Sequence, residues 1–196
     1  MSNFELYLGM VNSTNLDKIF GIAVEEIIAE IPEDVMSEGM KGTIENATKV
    51  IIPVIVPIYK NSFLKVYKKE FTDDEFGKLF AHYGPGSVLW SFFNTGDFFP
   101  WLRTTIREVI QERIKGLDLT AMSTAELQSL AQIGLDEILG KLPEWVKASS
   151  ADYLESDLCR REAALKDKIT EEGYRLMTKI DWCDLLEKSG ITPPED

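Results

Sequence analysis

The stretch that most constrains this chain runs from Val50 to Ser87, because it joins the most apolar run in the sequence to its clearest helix start and helix stop. Phe71-Thr72-Asp73-Asp74-Glu75 reads as that start. Thr72 is a good N-cap, Glu75 stands three residues on as its capping-box partner, and Phe71 with Phe76 fits a hydrophobic staple. Phe76, Leu79, Phe80 and Tyr83 then follow the i, i+3, i+4, i+7 rule of a one-sided helix, and Gly84-Pro85-Gly86 stops it. Upstream, Val50 to Tyr59 carries no charge, and Pro53 and Pro57 interrupt a run of β-branched residues. Two prolines four apart fit either an extended segment or a kinked or broken helix. Continued helical spacing through Ile58, Phe63, Val66 and Tyr67 favours the helix. The fold class expected is all-α: a globular bundle of about seven or eight helices with a long C-terminal helix.

An apolar proline-containing helix, a Tyr with basic residues, Phe-Thr-acid-acid-Glu and a closing Tyr-Gly-Pro-Gly together resemble a bacterial envelope family catalogued as a domain of unknown function. That family's motif is phenylalanine-threonine-x-x-glutamate-leucine followed by phenylalanine-tyrosine and a glycine. The likeness covers roughly residues 52–88, with Phe76 where leucine is usual and His82 where an aromatic is usual. It implies an all-helical fold and no known activity.

With 196 residues, 44% of them hydrophobic and 28% charged, the chain has material for a well-buried core and is not disordered by composition. A net charge of −12 argues against nucleic-acid binding, which requires a basic surface. The charge is uneven: residues 1–40 carry eight acids against Lys18, and residues 41–69 carry six lysines against Glu45. Those lysines either solvate a helix face or dock an acidic partner. The first basic residue is Lys18, so no charged start of a secretory signal is visible. Val50 to Tyr59 is well short of the roughly 20 residues that span a bilayer. No transmembrane segment is expected, and the place expected is the cytoplasm, the alternative being a periplasmic or organellar mature form.

Along the chain, Asn3 to Val11 suggests one or two helical turns. Thr14 is expected to open a helix with Leu16, Ile19, Phe20, Ala23, Val24, Ile27, Ile28 and Ile31 on one face and Glu25, Glu26 and Glu30 on a solvated one. Asp34 is the expected cap of the helix that enters the proline stretch. Trp90, Phe92, Phe93, Phe98, Phe99 and Trp101 then crowd around Asn94-Thr95-Gly96, with Asp97 the lone formal charge between His82 and Arg103. Such a cluster is either core or, if exposed, a binding patch or lipid contact. Pro100 suits the first turn of the next helix, and Ser123 with Glu126 makes a second capping box. Trp145 and Val146 are expected in a short turn before Ser149-Ser150, the boundary between a main domain, 1–149, and a C-terminal segment, 150–190, with 191–196 as tail. Leu154, Leu158, Leu165, Ile169, Leu176 and Ile180 recur at spacings of 4 and 7, an 11-residue period that keeps a narrow seam on a straight helix from about Ser150 to Lys188. That seam lies across the body or docks against another chain.

Most catalytic chemistry lacks its residues here. His82 is the only histidine, which leaves triads, histidine zinc sites and di-iron sites without ligands. Cys159 and Cys183 lack metal-ligand spacing, and on one continuous helix they would sit about 36 Å apart, too far for a disulfide. The acidic clusters match no calcium loop, and Gly84-Pro85-Gly86 is no phosphate loop. No enzyme, metal or cofactor is therefore expected. The reading that remains is a protein-interaction role as a structural or accessory subunit, contacting partners or itself through Trp90, Phe93, Phe98, Phe99, Trp101, Leu158, Leu165, Ile169 and Leu176. The alternative is a carrier of a small apolar or lipid-like ligand between helices lined by Phe63, Tyr67, Phe80, Trp90 and Phe93.

Overall fold

The computed structural model describes residues 1–31, 36–114, 117, 122–188 and 190. Among these residues the chain is all helical, with eleven α-helices and no strand. In order they are α1 (Asn3–Ser13), α2 (Leu16–Glu30), α3 (Glu38–Glu70), α4 (Asp73–Tyr83), α5 (Val88–Phe93), α6 (Phe98–Ile114), α7 (Thr124–Gly140), α8 (Glu144–Leu154), α9 (Asp157–Ala163), α10 (Lys166–Met177) and α11 (Trp182–Lys188). The all-α fold is as the periodicities require. Its N-termini are written locally: both expected capping boxes, Thr72 with Glu75 and Ser123 with Glu126, are formed, and Ser2 with Glu5 adds a third on α1.

The central element is α3, 33 residues and about 50 Å long. It runs unbroken through Pro53 and Pro57. Both prolines are exposed and share the outer face, so the carbonyls of Lys49 and Pro53, which lose their usual amide donors, lie on the side that water reaches. By length and composition α3 is also apolar enough to cross a membrane, and only 28% of its apolar window is buried. In the fold, α2 and α10 pack along it, α1 crosses it and α11 touches it. The expected cap Asp34 lies outside the described residues; Ser37 caps α3 by accepting from the Met40 amide.

Two hydrophobic cores result. The first gathers Tyr7, Met10 and Val11 of α1, Leu64, Val66 and Tyr67 of α3, Phe71, Phe76 and Leu79 at α4, and Leu165 at the start of α10. Leu79 is wholly buried. Asp73 joins α1 to α4 by accepting from the Asn3 and Phe4 amides at 3.2 and 3.0 Å. The second core holds Ile22 of α2, Leu89 and Phe92 of α5, Phe98, Leu102, Ile106 and Ile110 of α6, and Val146 of α8.

Several expectations are corrected. Thr14 does not open α2; its hydroxyl donates to the Val11 carbonyl and closes α1, and the next helix starts at Leu16. Glu26 is not on a solvated face, being 3% exposed under α6. It takes Arg103 at 2.7 Å and Arg107 at 2.8 Å, while Glu25 takes Arg103 at 2.7 Å. Burial pushes the Glu26 carboxyl up, but the hydrogen bonds and charges of the two guanidinium groups outweigh it and hold it below the usual range. Trp145 and Val146 belong to α8, which runs on through Ser149-Ser150.

The long C-terminal helix is instead four helices, α8 to α11. Ser156 interrupts it because its hydroxyl accepts from the Cys159 amide and caps a new helix. At the next break the Leu165 amide bonds the Glu162 carbonyl three residues back, and Lys179 and Ile180 do the same before α11. The 11-residue seam therefore turns corners and wraps the body. The 36 Å separation of the two cysteines assumed a straight helix and no longer holds; both thiols are free.

Candidate functional site

A cavity of about 360 Å³ lies where the two cores meet. It is lined by α1, the α1–α2 turn, α2, α3, α4, α5, α6 and one residue of α9. Tyr7, Met10, Val11 and Tyr67 form its buried end, Phe98 closes the side toward the second core, and the exposed Ser13, Asn15, Tyr59, Phe93 and Asn94 form its rim. The two cores are linked here by the turn at Gly84-Pro85-Gly86, after which α5 carries Trp90 and Phe93 to the cavity. Gly84 is required by space: a β-carbon there would stand 2.4 Å from the Phe80 carbonyl oxygen. Gly86 is required by conformation, with φ of 96°.

The polar feature of the cavity is Glu162. Tyr67 donates to one of its carboxylate oxygens at 2.8 Å and Tyr83 to the other at 3.1 Å. Tyr153 also donates to that second oxygen. Burial pushes the Glu162 carboxyl above its usual range, with the Tyr67 and Tyr83 hydroxyls opposing the shift. The phenols of Tyr7, Tyr67 and Tyr83 are raised by burial first and by the Glu162 charge second. Behind this group His82 stacks on Tyr153 at 3.7 Å, and burial lowers its imidazole below the usual value. The one base among the described lining residues, Lys60, donates to the carbonyls of Asn12 and Thr14 at 3.0 and 2.8 Å and so closes the C-terminal end of α1.

The predicted site residues divide between structure and cavity. Trp90, Phe93, Phe98 and Phe99 all line the cavity. Phe98 is 3% exposed and Phe93 39%, while Lys18 lies 3.7 Å over the Phe99 ring. Trp101 packs on Phe92 and Phe98 in the second core. Of the seam, Leu165 is 5% exposed in the first core, Leu158 and Ile169 pack against that core, and Leu176 is half-buried. Four of the five residues expected to line a carrier's pocket do so, namely Phe63, Tyr67, Trp90 and Phe93; Phe80 packs in the first core without lining it.

Sequence reasoning missed Glu162 and the tyrosines Tyr7, Tyr83 and Tyr153. A signal was present. Leu158, Glu162, Leu165 and Ile169 are spaced 4, 3 and 4, which places an acid within an apolar stripe, where a carboxylate must find donors. Among the described residues no group of three or more His, Cys, Asp and Glu could hold a metal ion. No protein-family model, no curated protein and no solved structure matches the chain.

Proposed function

We propose that this chain is a non-catalytic carrier of a small apolar ligand held between helices. The observation that supports it is the cavity of about 360 Å³, walled by Phe63, Trp90, Phe93, Phe98 and Phe99, with one buried end and one exposed rim. Its size is within the roughly 300–1,000 Å³ usual for ligand pockets, and its walls are apolar with few convergent polar groups. Native mass spectrometry on the chain purified gently from its own source tests the reading. The expected result is extra organic mass on the monomer, lost in Ile19→Phe, which fills the cavity from α2. Folded wild-type chain that carries no such mass and gains no thermal stability from added medium-chain alcohol overturns it.

A second reading, an accessory subunit that contacts other proteins, is favoured by the outer surface of α2 and α3. There Phe20 and Tyr59 meet edge-on at 6.4 Å, both partly exposed. The same spectrum would register a bound protein subunit. Substituting Phe20 with Glu is then expected to remove that mass without unfolding the chain.

A further inference from the structure

We propose that the ligand of this cavity is a short amphiphile with a cationic head, an amine or quaternary ammonium group that pairs with Glu162 while its tail lies along Phe93, Phe98 and Phe99. The inference rests on the carrier reading.

Three observations point to a cation. Glu162 is the one acid among the described lining residues, and its hydrogen bonds come from three phenols, none of which brings a positive charge. A carboxylate removed from water without a counter-charge is costly, and neutral donors offset only part of that cost. Next, the walls beside it are aromatic: the Phe63 and Tyr67 rings lie 3.9 Å apart and Tyr7 stacks on Tyr67 at 6.1 Å. The electron-rich faces of such rings attract an ammonium group, and a carboxylate beside them adds to the attraction. Finally, two of the three ammonium donors of Lys60 are taken by the carbonyls of Asn12 and Thr14, which leaves at most one for an anionic head. A fatty carboxylate would meet Glu162 as a like charge.

The volume limits the tail. At roughly 30 Å³ per non-hydrogen atom, taken from the share of one water in the liquid, the cavity holds about twelve such atoms, the size of octyltrimethylammonium.

The test is isothermal titration of the full chain with octyltrimethylammonium, decanol and decanoate, probes of similar size and different charge. Expected is binding of the ammonium probe at least about tenfold tighter than either other probe, and loss of that preference in Glu162→Gln because the ammonium probe weakens to about the level of decanol. Phe63→Leu gives an independent reading should the first variant fail to fold: it weakens the ammonium probe by about threefold to tenfold and decanol, which loses only wall contact, by less, so that the preference narrows. Equal or tighter binding of decanol or decanoate overturns the cationic head and leaves the carrier reading standing. Failure of folded wild-type chain to bind any of the three overturns both.

Discussion

Both cores contain phenylalanine, but only the first has buried tyrosines among its members. The second is filled by phenylalanine and aliphatic side chains, with Phe92 set edge-on against Phe98 at 5.5 Å and Val146 wholly buried beneath them. The first adds Tyr7 and Tyr67 to Phe71 and Phe76, with Tyr153 packed against it and Tyr83 packed against both cores. A phenylalanine core closes on itself because its atoms need only contact. A tyrosine core has hydroxyls that need acceptors, and here a single carboxylate from a distant helix serves three of them. The cavity lies where the two cores meet, and its buried end, at Tyr7 and Tyr67, is on the tyrosine side, where the positions of the polar groups compete with close packing.

The largest way to break this arrangement is Leu165→Asp. It places a second carboxylate in the first core with no donor arranged for it, at an expected cost of about 4 kcal/mol or more, measured by urea unfolding. If this residue served only an external partner, the body would stay folded. Next comes the charge cluster that ties α2 to α6. The double variant Arg103→Met with Arg107→Met leaves Glu26 buried and unpaired, with an expected loss of about 2 kcal/mol. That is below the value for fully interior pairs because both guanidinium groups are about half exposed.

Smaller again is Gly84→Ala, which forces the joint between the cores apart at the Phe80 carbonyl; about 1–2 kcal/mol is expected in thermal unfolding. pH sharpens the contrast by sign. Glu162 is raised on folding, so its folded state holds the proton more tightly, and that stabilisation is present below the ordinary carboxylate range and lost as pH rises through the raised value. Glu26 is lowered on folding, so its stabilisation is present at neutral pH and lost as pH falls through the lowered value. Urea midpoints taken downward from neutral pH should therefore show wild type gaining on Glu162→Gln and losing ground to Glu26→Gln. The smallest effect is at the far end of the chain, where Lys188→Ala removes an exposed pair with Asp184 and should leave the midpoint unchanged.

What could be read from the sequence was local. The Thr72 capping box, the Gly84 stop and the spacing of α4 each depend on residues within one turn of each other, and all three are found where the residues place them. Pro100 likewise sits in the first turn of α6. The C-terminal period misled because a repeat records which side faces the core and not whether the axis is straight; Ser156 was the available sign of a break. The aromatic cluster was recognisable as a cluster, yet its split into buried Phe98 and rim Phe93 depends on packing by α1 and α2. Glu162 was the hardest to see, since its meaning comes from tyrosines lying 79 and 95 residues earlier.

That separation has a consequence for how the protein is made. The walls of the cavity come from residues 7 to 99, whereas its acid belongs to α9. On a ribosome the aromatic walls emerge first and remain open on one side until the last third of the chain has been synthesised and has folded back. Contacts of such long range form late and slowly, so selection by charge is the last property the cavity acquires.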